Sequence, residues 1–209
     1  MSSLDRRRRR ILVAAMGGSQ IITLTSDPFT AADATDVNGR VPPITVGGAA
    51  WAATAGSWSV SSNRALAGAA VSTVVIETGD ADVTITCDMI MGDCTATNNM
   101  QLLVRASDAL NGWLINLTKA SNLFSIDEWV AGSNTTKAST TFNLANNQVV
   151  ALRVTLSGQT ITATADGANQ ISYNSAASNL TVTKHGVRAV QTGTITTRGR
   201  FDNFVVMSA

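Results

Sequence analysis

The chain has 209 residues, a formal net charge of +1 and 14% charged residues, against about 25% in an average soluble domain. Thr, Ser, Asn and Gly take the place of the missing charges, and only two glutamates occur, so helix bundles and coiled coils are excluded. A mean hydropathy of +0.14 excludes a natively disordered chain, and no unbroken apolar run reaches the roughly 18 residues of a membrane-spanning helix.

Basic charge is concentrated at the start of the chain. Arg6–Arg10 supply five of the 15 basic residues, and from Ile11 onward 10 basic residues face 13 acidic ones. We therefore predict a basic N-terminal arm over residues 1–20, either extended or a short helix ending at the paired glycines 17 and 18. The apolar run Ile11–Met16 is too short for a secretory signal, so we expect the arm to be retained.

The arm has three interpretations. We expect it to dock on an acidic patch of another protein through charge-assisted hydrogen bonds, with an apolar anchor behind the arginines. A solvated tail and a nucleic-acid contact are the alternatives, but the body is acidic and the arm carries no aromatic residues, which disfavours nucleic acid. The predicted partner-binding residues are Arg6, Arg7, Arg8, Arg9, Arg10, Ile11 and Leu12.

Beyond the arm, the pattern predicts a β-sandwich over residues 21–209. Residues 21–55 form an irregular lead-in, because turn-forming Pro, Gly and Asn interrupt any long element. From Gly56 onward, short β-rich runs recur between turn signals at a spacing of roughly ten residues, which is typical of an antiparallel sandwich. These runs are Ser57–Val60, Val71–Glu77, Val83–Met91, Met100–Ala106, Trp113–Leu117, Leu123–Val130, Thr140–Leu144, Val149–Leu156, Thr160–Ala165, Gln170–Tyr173, Gly186–Val190 and Phe201–Met207.

Alternation within these runs predicts which side chains face the core. Between Val149 and Leu156 every second residue is apolar, with Arg153 among those left for solvent. Ser157-Gly158-Gln159 then separates this run from the next and is short enough for a hairpin in which the glycine takes a positive φ.

Several short motifs, spread over residues 25–209, resemble the concanavalin-A-like and laminin-G-like jelly rolls. They are Asp27-Pro28-Phe29, Gly48 to Trp51, Gly56 to Val60, Asn63-Arg64-Ala65, Leu103-Val104-Arg105, Asn111-Gly112-Trp113 and Arg200 to Val206. The resemblance implies an all-β antiparallel jelly-roll sandwich. Such domains are found in lectins, glycan hydrolases and bacteriophage virion proteins.

Low charge and a basic arm ahead of a sandwich look most like the bacteriophage group. The resemblance therefore implies a non-enzymatic structural protein of a virion, assembled in the host cytoplasm as a decoration or attachment component. Its partners would be other capsid, collar or tail proteins, in a homo-oligomer or multicopy assembly, with no membrane contact. The alternative is a lectin-like, carbohydrate-binding adhesion module for a cell-surface glycan.

The residues do not predict an enzyme or a cofactor. Sandwich glycosidases need two carboxylates on one face, whereas Asp127 and Glu128 are adjacent on one strand and so point to opposite faces. His185, the only histidine, lies at a predicted turn, where a surface position is the simplest interpretation. Phosphate-loop and dinucleotide motifs are absent.

Two tryptophans suggest where a glycan could bind. If Phe124 and Ile126 face inward, Trp129 faces outward with Asp127. An aromatic ring beside amides and carboxylates is what a sugar platform requires. Core packing and a protein interface are the alternatives. The predicted glycan-binding residues are Asn111, Trp113, Asp127 and Trp129.

Two weaker features complete the sequence. Asp33, Asp36 and Asn38 offer side-chain oxygens in one loop, which indicates either half of a calcium site or ordinary turn capping. Cys87 and Cys94 could form a disulfide across a turn, or Cys87 could be a buried thiol.

Overall fold

The computed structural model describes residues 20–93, 98–175 and 178–209. Within these residues sixteen strands form two antiparallel sheets, so the predicted all-β sandwich is confirmed. Helical structure in these ranges consists of three 3₁₀ turns at Val46–Gly48, Lys119–Ser121 and Ile195–Thr197, and none of it is long and apolar enough to cross a membrane. The strands are β1 Thr23–Asp27, β2 Ile44–Thr45, β3 Ala52–Ala55, β4 Trp58–Val60, β5 Ala65–Ala67, β6 Val71–Glu77, β7 Val83–Ile90, β8 Asn98–Val104, β9 Gly112–Thr118, β10 Leu123–Val130, β11 Ser133–Thr141, β12 Val149–Ser157, β13 Thr160–Ala165, β14 Asn169–Asn174, β15 Lys184–Gln191 and β16 Arg200–Ser208.

The two sheets differ in strand order. The seven-stranded sheet runs β11-β10-β9-β8-β15-β6-β3. The nine-stranded sheet runs β14-β13-β12-β7-β16-β1-β2, with β5 also paired to β16 and β4 to β5. Half of the paired neighbours are strands that are not consecutive in the chain, as in the pairing of β8 with β15, so the register of the sheets depends partly on long-range contacts.

The core lies between the sheets and follows the alternation of the strands. On β12 the side chains of Val150, Leu152, Val154 and Leu156 are buried and Arg153 is exposed, as predicted. The predicted hairpin is also present, with Ser157 paired to Thr160 and Gly158 at a φ of 50°. These side chains pack against the inner face of the other sheet. The residues that alternate with them therefore point away from the core.

The lead-in is more regular than its turn residues predicted. It contains β1, β2 and β3, and the buried Asp27 side chain holds it to the core. One Asp27 oxygen accepts the Trp51 indole N–H at 2.8 Å, and the other lies 3.0 Å from the Arg40 guanidinium. A buried carboxylate is stable when it is paired and hydrogen-bonded in this way, so the segment joins the fold despite its prolines and glycines.

The predicted strand at Thr140–Leu144 is wrong. The strand in this region is β11, Ser133–Thr141, and the residues after Thr141 form a loop. β11 is an edge strand of Ser, Thr, Asn and Lys whose side chains are mostly exposed. It therefore lacks the apolar alternation by which a half-buried strand is recognised.

Candidate functional site

The seven-stranded sheet carries a layer of polar side chains on its outer face, the side away from the core. On β10, Phe124 and Ile126 lie in the core between the sheets, so Ser125 and Asp127 point outward. The same alternation on β8, β9 and β15 turns further polar side chains outward. We call this set the polar face, and its members are Gln101, Asn116, Ser125, Asp127, Trp129 and Arg188.

Strand register brings most of the polar face into one row. Ser125 pairs with Asn116, and Asn116 with Gln101. Gln101 pairs with Arg188, and Arg188 with Thr73 on β6. With neighbouring strands about 4.8 Å apart, the row extends about 19 Å across five strands.

The polar face is unusual because six of its polar atoms are buried without hydrogen-bond partners among the described residues. In the described part of the chain, 15 buried side-chain nitrogen and oxygen atoms lack a partner, and six of them belong to this face. Native proteins pair the great majority of such atoms, so a cluster of exceptions on one face requires an explanation. The six atoms are Gln101 Nε2, Asn116 Oδ1, Ser125 Oγ, Asp127 Oδ1, Trp129 Nε1 and Arg188 Nε.

Hydrogen bonds within the face satisfy only part of each group. Asn116 Nδ2 donates to Asp127 Oδ2 at 3.2 Å, and Arg188 Nη1 donates to Gln101 Oε1. The remaining atoms include donors on Gln101 and Arg188 and acceptors on Asn116 and Asp127. The face thus offers both hydrogen-bonding roles side by side.

Trp129 forms the base of the face and does not act as an exposed platform. Its side chain is only 3% exposed and packs in an apolar cluster with Leu103 and Leu114. The Arg188 guanidinium lies 4.8 Å from the centre of the Trp129 ring, a cation–π distance. The predicted outward direction is correct, but the prediction of an open sugar platform is wrong because neighbouring side chains cover the ring.

Trp113 and Asn111 are not part of the face. Trp113 points into the core, where it is 1% exposed and its ring lies 5.6 Å from that of Tyr173. Asn111 Nδ2 donates to Asp108, and Asn111 Oδ1 accepts the backbone N–H of Ala131 at 2.9 Å. Asn111 therefore joins two loops, and the structure brings only Asp127 and Trp129 of the four predicted glycan residues together.

The two adjacent carboxylates separate as predicted. Asp127 lies on the outer face opposite Leu114, whereas Glu128 lies opposite Trp113 and forms a 2.9 Å salt bridge with Lys137. Asp127 is the only carboxylate among the six residues of the polar face. This face therefore lacks the carboxylate pair that glycoside hydrolysis uses.

The loop proposed for calcium uses its oxygens to hold the backbone. Asp33 accepts the N–H of Ser62, Asp36 that of Asn38, and Asn38 that of Ala53, at 2.7–2.9 Å. Because these oxygens bond separate segments, the structure favours turn capping over a cation site. Across the described ranges, no group of three or more His, Cys, Asp and Glu side chains is arranged to hold a metal ion.

His185 and Cys87 are buried. The prediction of a surface histidine is wrong: His185 lies on β15 and is 0% exposed. Its Nδ1 accepts the backbone N–H of Arg105, and Nε2 lies 3.2 Å from the Asp80 carbonyl. Burial lowers the pKa of His185 to about 4, so the ring is neutral at pH 7. Cys87 is a free thiol whose pKa is raised by burial, and Cys94 lies outside the described residues.

A groove of about 510 Å³ crosses the outer face of the nine-stranded sheet. Thr86, Asp88, Arg153 and Gln170 line it, together with Asn203, which donates to Asp88 at 2.8 Å. None of these side chains has a buried polar atom without a partner. The polar groups of this groove are therefore already bonded or solvated.

Sequence reasoning missed Gln101, Asn116, Ser125 and Arg188. A signal was present, since each is a polar residue alternating with core residues inside a strongly apolar strand. The alternation predicts that each points outward. Their assembly into one row depends on the pairing of strands that are distant in sequence, which a single sequence does not reveal.

Neither the protein-family models nor the curated protein sequences contain a match to this chain. Among solved structures, the carbohydrate binding module CBM66 from Bacillus subtilis aligns with a TM-score of 0.58 at 16% identity, over 76% of this chain and 91% of that one. The exoplasmic/lumenal domain of VIP36, in a Ca²⁺/Man₃GlcNAc-bound form, aligns with a TM-score of 0.52 at 13% identity, over 75% and 81%.

An enzyme-related structure shares the same architecture. A chain described with the endo-acting O-glycanases of the human gut microbiota aligns with a TM-score of 0.58 at 10% identity, over 90% of this chain and 99% of that one. At these identities the similarity concerns the fold alone, which is the antiparallel jelly-roll sandwich that the motifs predicted.

Proposed function

We propose that this protein is a non-enzymatic, carbohydrate-binding module and that the polar face is its glycan contact. The observation that carries the proposal is the cluster of six buried, unpartnered polar atoms on one sheet face. The fold adds support, because structures with the same architecture include a carbohydrate binding module and a glycan-bound domain.

Sugar hydroxyls suit the unpartnered atoms. Each hydroxyl donates one hydrogen bond and accepts others, so a hydroxyl suits both the Gln101 donor and the Asn116 acceptor, whose residues pair across β8 and β9. These atoms are covered in the unbound chain, so a sugar reaches them when the neighbouring side chains move aside. Buried polar groups without partners are costly, at about 1–3 kcal/mol each. A ligand that satisfies several of them gains that energy on binding.

The same geometry favours binding over cleavage. Hydrolysis of a glycosidic bond uses two carboxyl groups on one face, a short distance apart. In the polar face Asp127 stands alone, and Glu128 is directed to the other side of the sheet and paired with Lys137. We therefore assign Asp127 the role of a hydroxyl acceptor.

The virion interpretation remains a prediction from sequence alone. Its predicted anchor, Arg6–Leu12, lies outside the described residues, as does the rest of the arm up to residue 19. The virion location, the capsid, collar or tail partners and the multicopy assembly therefore rest on the basic arm and the resemblance. A glycan-binding sandwich is compatible with an attachment role on a particle, so the two interpretations do not compete for the same residues.

The test is a pair of matched carboxylate substitutions. The variant Asp127→Asn keeps the shape of the side chain and puts an amide N–H₂ where an acceptor stood. Loss of a hydrogen bond to a charged acceptor, about 1.5–3 kcal/mol, should weaken glycan binding about 10-fold or more. Binding is measured by titration calorimetry after a glycan array has identified a ligand.

The control is Asp88→Asn, which removes one carboxylate from the nine-stranded sheet. We expect it to bind glycan as the unmodified chain does. Equal binding by the unmodified chain and Asp127→Asn would remove the polar face as the site. Failure of the unmodified chain to bind any glycan on an array of neutral and acidic sugars would overturn the proposed function itself.

A further inference from the structure

Arg188 is a partly buried arginine without an acidic partner among the described residues; Arg198 and Arg200 share this property but donate to backbone carbonyls. Arg40 lies 3.0 Å from Asp27, and Arg105 lies 2.7 Å from Asp82. Within residues 20–93, 98–175 and 178–209, no carboxylate comes within salt-bridge distance of Arg188. The described part of the chain therefore neutralises the Arg40 and Arg105 guanidinium groups and supplies no counter-charge to Arg188.

The surroundings of Arg188 hold its guanidinium in place. The guanidinium carbon lies 4.8 Å from the centre of the Trp129 ring, and Nη1 donates to Gln101 Oε1. On the neighbouring strands, Arg188 pairs with Gln101 and Thr73. Nε is buried without a partner, and Nη2 forms no hydrogen bond within the described part of the chain. Because neighbouring atoms cover Nε, Nη2 is the nitrogen that can donate a charge-assisted hydrogen bond to an oxyanion.

The nearest acid on the polar face does not neutralise Arg188. Asp127 lies on β10, and it forms no salt bridge with Arg188. Burial lowers the pKa of Arg188, but an arginine remains charged at neutral pH. A half-buried positive charge without a counter-ion is costly, and an anion placed beside it recovers that cost.

We propose that the glycan bound by the polar face carries an oxyanion, a carboxylate or a sulfate, and that Arg188 binds this group through Nη2. This inference rests on the proposed function. The neutral hydroxyls of the same ligand would meet Asp127, Asn116 and Gln101, so one face combines a charged contact with hydroxyl contacts.

The experiment compares acidic glycans with matched neutral ones. Oligogalacturonides are titrated against their methyl esters, and a sulfated galactan against its unsulfated form, at physiological ionic strength so that long-range attraction is screened. We expect the unmodified chain to bind at least one acidic glycan at least about 10-fold more tightly than its neutral match. Preference for the carboxylated or the sulfated pair identifies the source of the oxyanion.

Two arginine substitutions test the residue itself. Arg188→Gln should lower the affinity for the acidic glycan to that for its neutral match. Arg153→Gln, which removes the same charge from the outer face of the nine-stranded sheet, should leave the preference unchanged. Equal losses in the two variants would overturn the inference in favour of nonspecific attraction. The preference is also measured on the unmodified chain, so the inference can fail even if Arg188→Gln does not fold.

The outcomes separate this inference from the proposed function. If the unmodified chain binds neutral glycans through Asp127 and shows no preference for their acidic matches, the glycan-binding face stands and the role of Arg188 is overturned. If the chain binds neither acidic nor neutral glycans, both proposals fail together.

Discussion

The outer faces of the two sheets carry similar polar residues, but the two sets differ in solvent exposure and hydrogen bonding. On the nine-stranded sheet, polar side chains bond one another or meet solvent: Asn203 donates to Asp88 at 2.8 Å, and Ser172 lies 3.2 Å from Thr162. On the seven-stranded sheet, Ser125 and Gln101 are 1% and 0% exposed and each keeps a polar atom without a partner.

The difference shows that polarity alone does not identify a binding surface. A solvent-exposed polar group hydrogen-bonds to water in any orientation, so its presence does not indicate a ligand. A polar group that is buried without a hydrogen-bond partner lowers the stability of the fold. Positions that trade stability for an unmet interaction are typical of functional sites, which is why we place the site on the seven-stranded sheet and not in the groove of the nine-stranded sheet.

The largest expected effect comes from removing the ring beneath Arg188. Trp129→Ala takes away a side chain that is 3% exposed and packed against Leu103 and Leu114. Replacing a buried aromatic residue by alanine costs about 3–5 kcal/mol because the transfer energy is lost and a cavity remains. Urea unfolding followed by circular dichroism measures the change.

The comparison for Trp129→Ala is Arg153→Ala on the nine-stranded sheet. Arg153 is exposed, so its substitution should change the free energy of unfolding by less than about 0.5 kcal/mol. Similar losses in the two variants would contradict the contrast between a packed outer face and a solvated one.

The second prediction concerns acid. The pKa of His185 is about 4 in the fold and 6.5 in an unfolded chain, so the unfolded state binds more protons between these values. Stability is therefore fully present above about pH 6.5 and falls as the pH drops to about 4, by about 3 kcal/mol in all. Burial is the main cause, and the nearby Arg105 acts in the same direction against Glu77 and Asp80.

His185→Gln isolates this contribution, because His185 is the only histidine in the chain. The variant should unfold with nearly the same free energy at pH 5.5 and pH 6.5, whereas the unmodified chain should be less stable at the lower value. Chemical denaturation at a series of pH values tests this. Parallel pH curves for the two proteins would show that His185 is not held neutral by burial.

The sequence predicts the sandwich well because its signal is local. Alternation on β12 and around Phe124 and Ile126 is visible within a few residues, and the burial of those side chains follows it. The polar strand β11 and the lead-in strands were missed, since their residues lack that alternation. Trp113 was assigned to a glycan site, but the partner that buries it, Tyr173, lies 60 positions later.

The site was less predictable for a related reason. That Asp127 and Trp129 point outward follows from the alternation, and the structure agrees. Whether an outward side chain is exposed depends on what lies beside it on neighbouring strands, and Arg188 reaches Trp129 only through the long-range pairing of β15 with β8. Long-range register is the information that one sequence lacks.

The smallest effect gives the sharpest contrast, because its sign should differ between the two faces. Ser125 Oγ is buried without a partner, so Ser125→Ala removes a desolvated hydroxyl and should raise the free energy of unfolding by about 1 kcal/mol. Ser172 Oγ donates to the Ile161 carbonyl at 3.2 Å, so Ser172→Ala should lower it by about 0.5 kcal/mol. Thermal unfolding of both variants measures these changes.

Binding should separate the two serines as well. Ser125→Ala should weaken glycan binding while it stabilises the fold, because the hydroxyl that costs stability in the free protein is one that a sugar would satisfy. Ser172→Ala should leave binding unchanged. A destabilised Ser125→Ala would mean that this hydroxyl already has a partner in the folded chain, and the polar face would then resemble the bonded and solvated face of the nine-stranded sheet.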